Sequence, residues 1–208
     1  MNEHIDYNYR TYLLVIFLSH LILSLFLAQD YLTNEINFRY YFGYKQGDFG
    51  WISAAYILGY EGDFVRSLGE AYRLPGYIIF QSAFMKLFEN PVTAIKISQI
   101  ILSSSLILVS FCISKCISSS NRVNLIVSFA VAVWFPLHFY SLDLTGVTFS
   151  IFIYSLFIWS LFKLFEYNDK RNLLLCLIGI LLGLMTLAKS NNVLIFFSLF
   201  LTLWYFHQ

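Results

Sequence analysis

Charge is what this chain has least of. Asp, Glu, Lys and Arg make up 12% of its 208 residues, against 59% hydrophobic and 20% aromatic. So few charges exclude an ordinary soluble domain, about a quarter of whose residues are charged. The formal net charge is +1, and no basic patch interleaved with aromatics occurs. Together these exclude an electrostatic case for nucleic acid. Cysteine is scarce too: Cys112, Cys116 and Cys176 all sit in or beside apolar runs. The first two are spaced to share one helix face, which suits packing and not a disulfide. They read as small apolar side chains, and no redox compartment follows from them. The four histidines are His4, His20, His138 and His207, no two at metal-ligand spacing. Neither they nor any other residues imply a cofactor, and metal dependence stays open.

What the chain has in abundance is uncharged apolar sequence. Tyr12–Ala28 carries no charge, and His20 is its one imidazole. As a helix it would be roughly 26 Å long, near the lower limit for crossing a bilayer. With Arg10 as a basic flank it could be a signal peptide. Phe26, however, stands where a cleavage site wants a small residue, so an uncleaved anchor is the favoured reading. Further runs are Val92–Ile113, Val123–Leu137, Leu144–Phe165, Leu173–Ala188 and Val193–Phe206, separated by KCISSSNR, HFYSLD, EYNDKRN and KSNN. Lipid offers the backbone no partner, so each run is expected to be helical. The expectation is an all-α polytopic transmembrane helical bundle, a single module over residues 1–208 with about six spans. Gly179 and Gly183 form a GxxxG in the fifth run, read as a site of close packing.

Lys and Arg in the short loops set the expected orientation. Arg10, Lys115, Arg122, Lys163, Lys170 and Arg171 fall on one side and Lys189 on the other, which predicts a cytoplasmic N-terminus. The expected location is a multi-pass protein of the plasma membrane, or the inner membrane in a bacterium. Residues 29–91, HFYSLD and KSNN then share the outer face. The first of these is the anomaly, a polar, Tyr- and Gly-rich stretch where a short turn would have served. Within it, Pro75–Phe88 reads as an amphipathic interfacial helix. Tyr77, Phe80, Phe84, Leu87 and Phe88 lie on one face; Gln81, Ser82, Lys86 and Glu89 lie away from it. Trp51–Tyr60 is a second such candidate, with Asp48 near its start.

Each polar residue of the loop has two readings. Asp48 suits either an N-cap or a base at the lipid–water boundary that takes a proton from an attacking acceptor. Glu61 and Asp63, flanked by glycines, suit a solvated turn better than a metal site, for which two carboxylates are a weak signal. Arg66, Arg73 and Lys189 either snorkel to headgroups or hold a phosphate. Arg73 is the best placed, because Leu74-Pro75-Gly76 after it is a rigid lead into the helix. His138, at the end of the third run, either lines a site or is a satisfied interfacial residue.

The stretches GDFGWISAAYIL, YRLPGYIIFQSAFMKLF, TAIKISQIILSSSLILVSFCISK and LLLCLIGILLGLMTLAKSNN follow one another in an order and spacing that resembles the C-type glycosyltransferase superfamily. More narrowly, the chain resembles the protein mannosyltransferase and aminoarabinose transferase branch, from about Tyr12 to Phe206. The resemblance implies inverting transfer of a sugar from a polyprenyl-phosphate donor to a protein or lipid/glycan acceptor on the outer face. It implies Asp48 as base or acceptor-orienting acid, Arg73 as donor-phosphate contact and Lys189 as a further basic residue of the site. Beside it, the reading of the residues offers Arg66 as another phosphate-binding candidate and Glu61, Asp63, Tyr72, Tyr77, His138 and Asp143 as candidates to line the site. The chain departs from the pattern in three places. Asp48 is followed by Phe49 where many relatives have a second acid. Thr145-Gly146 stands where many carry Glu, leaving Asp143 as the nearest acid. Lys189-Ser190 stands for Arg-Pro. Such relatives continue for several more spans, so a fragment, a truncated product or a minimal version is expected.

The rival expectation is a non-catalytic membrane protein: a lipid-sugar binder, a flippase or transporter subunit, or an inactive relative. Ion-coupled transport calls for ionisable groups deep inside spans, and the runs hold few. A purely structural subunit would leave the patterned loop unexplained.

Overall fold

The structure, a computed structural model, describes residues 3–33, 54–71, 75–142, 144–166, 169 and 171–188. Every regular element among them is helical. In chain order these are α1 (Glu3–Thr33), a π-helical turn (Ile57–Glu61), α2 (Phe64–Ala71), α3 (Pro75–Leu87), α4 (Pro91–Ile117), α5 (Asn121–Ala132), α6 (Phe135–Leu142), α7 (Val147–Glu166) and α8 (Arg171–Ala188). Four of them, α1, α4, α7 and α8, are long and apolar enough to cross a membrane, and α5 with α6 makes a fifth if the bent pair counts as one span. The chain is therefore a polytopic membrane protein. The sixth expected run, Val193–Phe206, lies outside the described residues.

The element boundaries follow local chemistry. Pro91 opens α4, where its missing N–H costs nothing, and Lys115 sits in the last turn, where a cation suits the helix dipole. The α4–α5 hairpin is closed by side chains. Ser114 Oγ donates to Asn124 Oδ1 at 2.7 Å, and Asn124 Nδ2 donates to the Ser118 carbonyl at 3.2 Å. The run Val123–Leu137, expected to be one helix, is two helices bent by 49°. Pro136 is the cause. It has no N–H for the carbonyl of Ala132 four residues back, and its ring clashes there. The freed carbonyl accepts a hydrogen bond from His138 Nε2 at 3.2 Å.

Two apolar clusters carry the packing. Ile153 and Phe157 of α7 meet Ile178, Leu181, Leu182 and Met185 of α8. Tyr77, Ile78 and Met85 of α3 meet Ala54, Ala55, Ile95 and Leu144. Outward lie large apolar side chains such as Ile22, Phe26, Ile126 and Ile180. That is the expected dress of a surface solvated by lipid.

Two expectations are corrected in detail. The buried face of α3 is Gly76, Tyr77, Ile78, Gln81 and Met85, so Gln81 points inward while Leu87 and Phe88 are exposed. The GxxxG of α8 faces outward: nothing among the described residues lies within 4 Å of a Cβ built on Gly179 or Gly183. The close approach is made by Gly76, where a Cβ would stand 2.8 Å from the Leu187 carbonyl carbon.

Matched substitutions test this packing. Gly76→Ala is expected to destabilise the fold by roughly 1–3 kcal/mol. Gly179→Ala should be neutral or stabilising by up to about 1 kcal/mol. Reversible unfolding in mixed micelles reads both, and equal effects would contradict the contact.

Candidate functional site

The site is built where α3 begins. Pro75 is its first residue, and Gly76 lets the helix start against the backbone of Leu187 and Ala188 at the end of α8. One residue on, Tyr77 is fully buried beneath Gly146, where a Cβ would stand 3.1 Å from the Tyr77 ring. Gln99 of α4 donates through Nε2 to the Tyr77 hydroxyl and, at 3.1 Å, to the Thr145 carbonyl. Gln81 donates to the Leu144 carbonyl at 3.5 Å, the limit of such a bond. Three parts of the fold are thus tied together: α3, α4 and the segment Leu144–Gly146 that leads into α7. Lys96, one turn before Gln99 on α4, is buried beside it in sequence and on the same helix side.

This cluster is unusually polar for a helix interface. Interhelical hydrogen bonds in membranes are worth about 0.6 kcal/mol each. Against the few bonds made stand four buried polar atoms without a partner: Gln81 Oε1, Gln99 Oε1, Thr145 Oγ1 and Thr148 Oγ1. Each costs about 1–3 kcal/mol. Such a deficit calls for a functional explanation or for bound water. The unmatched atoms are acceptors and hydroxyls, suited to groups that bring O–H or N–H.

The carboxylates of the loop form a different constellation. Glu61 pairs with Arg66 at 2.7 Å on the exposed surface. Asp63 caps α2, its Oδ1 accepting from the Arg66 backbone N–H at 3.0 Å. Between them Gly62 takes a left-handed φ of +73°, which glycine supplies without strain. Glu61, Asp63 and Arg66 satisfy one another, the solvated-turn reading, and no group of three metal-ligating side chains occurs among the described residues. An exposed pair of this kind contributes about 0–1 kcal/mol, so the turn is shaped by the cap and the glycine.

Of the other sequence candidates, Tyr77 is at the heart of the cluster. His138 is buried and bonds to Ser24 and to the Ala132 carbonyl. Asp48, Tyr72, Arg73, Asp143 and Lys189 lie outside the described residues. Gly76, three residues after Arg73, touches Leu187 and Ala188, the latter directly before Lys189. Leu144, directly after Asp143, accepts from Gln81.

Sequence reasoning passed over Gln81, Lys96, Gln99, Thr145 and Thr148 as site residues. The signal was present as a period. Lys96, Gln99 and Ser103 recur at helical spacing within an apolar run, and all three are buried. The chain matches no protein-family model, no curated protein and no solved structure.

A double-mutant cycle tests the cluster. Tyr77→Phe and Gln99→Leu are each expected to cost about 1–2 kcal/mol. Together they should cost less than the sum by about 0.5 kcal/mol or more, because they share one bond. Strict additivity in the same unfolding assay would mean that the two side chains do not meet.

Proposed function

We propose that this chain is the membrane module of a glycosyltransferase. It moves a sugar from a polyprenyl-phosphate donor to a protein or lipid/glycan acceptor on the outer face of the membrane, with inversion. One observation supports the reading. The start of α3 abuts the end of α8, Gly76 against Leu187 and Ala188, and further along the same helix Gln81 bonds the Leu144 carbonyl. A donor phosphate held by Arg73 and Lys189 would have one bidentate and one point-like cation as partners.

The chemistry is a single displacement. The acceptor oxygen or nitrogen attacks the anomeric carbon as Asp48 takes its proton. The bond from that carbon to the phosphate oxygen breaks from the opposite side. The electron pair leaves with the polyprenyl phosphate, whose added charge the two cations stabilise. One displacement inverts the anomeric centre. The resemblance to C-type glycosyltransferases and the charge asymmetry of the loops support the same assignment and the same outer face.

A second reading is favoured by one observation of its own. His20 and His138 meet inside the bundle, their ring centroids 4.2 Å apart. Ionisable groups at such depth belong more naturally to a transporter or flippase subunit than to a transferase.

A membrane transfer assay with lipid-linked sugar decides between them. Asp48→Asn is expected to lower transfer by about 10²–10⁴-fold with donor affinity retained. Arg73→Ala is expected to weaken apparent donor affinity by roughly 10–100-fold. Unchanged transfer by the first variant removes the base, and unchanged donor affinity in the second removes the phosphate contact. Movement of lipid-linked sugar across the bilayer without transfer would establish the second reading.

A further inference from the structure

Among the described residues, α8 is covered on one side only. Leu174, Ile178, Leu181, Leu182 and Met185 are buried, most of them against Ile153 and Phe157 of α7. Another side carries Cys176, Gly179, Gly183 and Thr186, whose steps of three and four keep them on one face. Cys176, Gly179 and Gly183 are exposed. No described residue comes within 4 Å of a Cβ built on either glycine. Thr186 turns its hydroxyl back onto the Gly183 carbonyl at 2.7 Å. Ile180, Leu184 and Leu187, exposed as well, flank the stripe. Two glycines on a face covered by lipid would be a loss, since each weakens a helix by about 1 kcal/mol relative to alanine.

We propose that this face of α8 is the seat of the chain's own segment Val193–Phe206, packed antiparallel as one more helix. The connection KSNN that follows Ala188 is short, and helices joined by so short a link lie side by side. The polar residues of the segment point the same way. Ser198, Thr202 and Tyr205 are its hydroxyl-bearing side chains, and their spacing puts all three on one helix face. In lipid such a face turns toward protein, where hydroxyls find partners and small residues let two backbones approach.

The two faces also match in register. In an antiparallel hairpin with Ala188 opposite Val193, Gly183 stands as far before the turn as Ser198 stands after it. Gly179 is then opposite Thr202, Cys176 opposite Tyr205 and Thr186 opposite Ile195. Each helix thus brings a small-xxx-small pair to the middle of the seam. The bulky Ile195 and Tyr205 fall at its ends, where two crossing helices diverge. A slip of one residue destroys the match, because Gly183 would then face Phe197 or Leu199, and Gly179 would face Leu201 or Leu203.

Docking of the segment would hold the KSNN turn, which begins with Lys189, from both ends. On the α8 side, Ala188 already lies against Gly76 at the start of α3. The inference is independent of the transferase reading and survives its failure.

Cysteine cross-linking of the full chain in lipid nanodiscs tests the seam, in a background with Cys112→Ala and Cys116→Ala. Cys176→Ala is added for the pairs that do not use it. Gly183→Cys with Ser198→Cys, and Gly179→Cys with Thr202→Cys, are expected to form disulfides within one chain, because that bond needs Cβ atoms about 3.5–4.5 Å apart. Gly179→Cys with Ser198→Cys, a turn or about 6 Å out of register, is expected to form none. Native Cys176 with Tyr205→Cys leaves both glycines in place and is expected to be joined within the chain by a short bifunctional thiol reagent. That pair decides should the glycine variants fail to fold. Alanine is itself a residue of such seams, so a neutral Gly179→Ala is compatible with the docking. Three results would overturn the proposal. Disulfides only between chains would put a second copy on the face. Equal closure of the out-of-register pair would remove the register. No cross-link at any pair would leave the face to lipid.

Discussion

The carbonyl of Ala132 is the point from which much of the interior follows. Pro136 cannot donate to it, and lipid cannot either. The chain supplies His138 instead, two residues past the proline, and that single bond fixes three things. It closes the bend between α5 and α6. It fixes which nitrogen of His138 carries the proton. It thereby turns the other nitrogen into an acceptor that draws in Ser24 of α1. The first span thus meets α6 through a bond that begins with a missing N–H, and meets α4 through His20 and Ser104.

The same rule separates the structural polar groups from the candidate functional ones. Ser114, Asn124 and Ser118 satisfy one another across the α4–α5 hairpin, and nothing more is needed to explain them. Glu61, Asp63 and Arg66 do the same in their exposed turn. The groups around Tyr77 and the Nε2 of His20 are different, because the described fold leaves acceptors there without donors.

How far the sequence could be read depended on which solvent the reading assumed. The long apolar runs became α4, α7 and α8 within a few residues of their expected limits, because lipid forces any such run to be a helix, while α1 extends from Glu3 to Thr33, well beyond the expected Tyr12–Ala28. The break at Trp134 was hidden inside a continuous apolar run, since hydropathy does not register the loss of one N–H at Pro136. The faces of α3 and α8 were harder for a deeper reason. In water an apolar stripe points inward, but in lipid the outside is apolar as well. Gln81 therefore turns inward while Leu87 and Phe88 turn out, and Gly179 and Gly183 look away from their neighbours. In this bundle the informative periodicity is that of the polar residues: Tyr77 with Gln81, Lys96 with Gln99 and Ser103, His20 with Ser24. Their spacing was visible in the sequence, and their pairing across helices was not. Nothing local to His20 announces a partner more than a hundred residues away.

The central proposal is that the start of α3 and the end of α8 together form the seat of a lipid-linked phosphate. Photo-cross-linking with a polyprenyl phosphate that carries the reactive group beside its phosphate tests it most directly. The chain would be labelled in bilayers and mapped by peptide mass spectrometry. The account predicts adducts within residues 72–77 and 187–190, both suppressed by excess unmodified polyprenyl phosphate. Competable adducts confined to α1, or to the outward face of α7, would place the lipid elsewhere and contradict it.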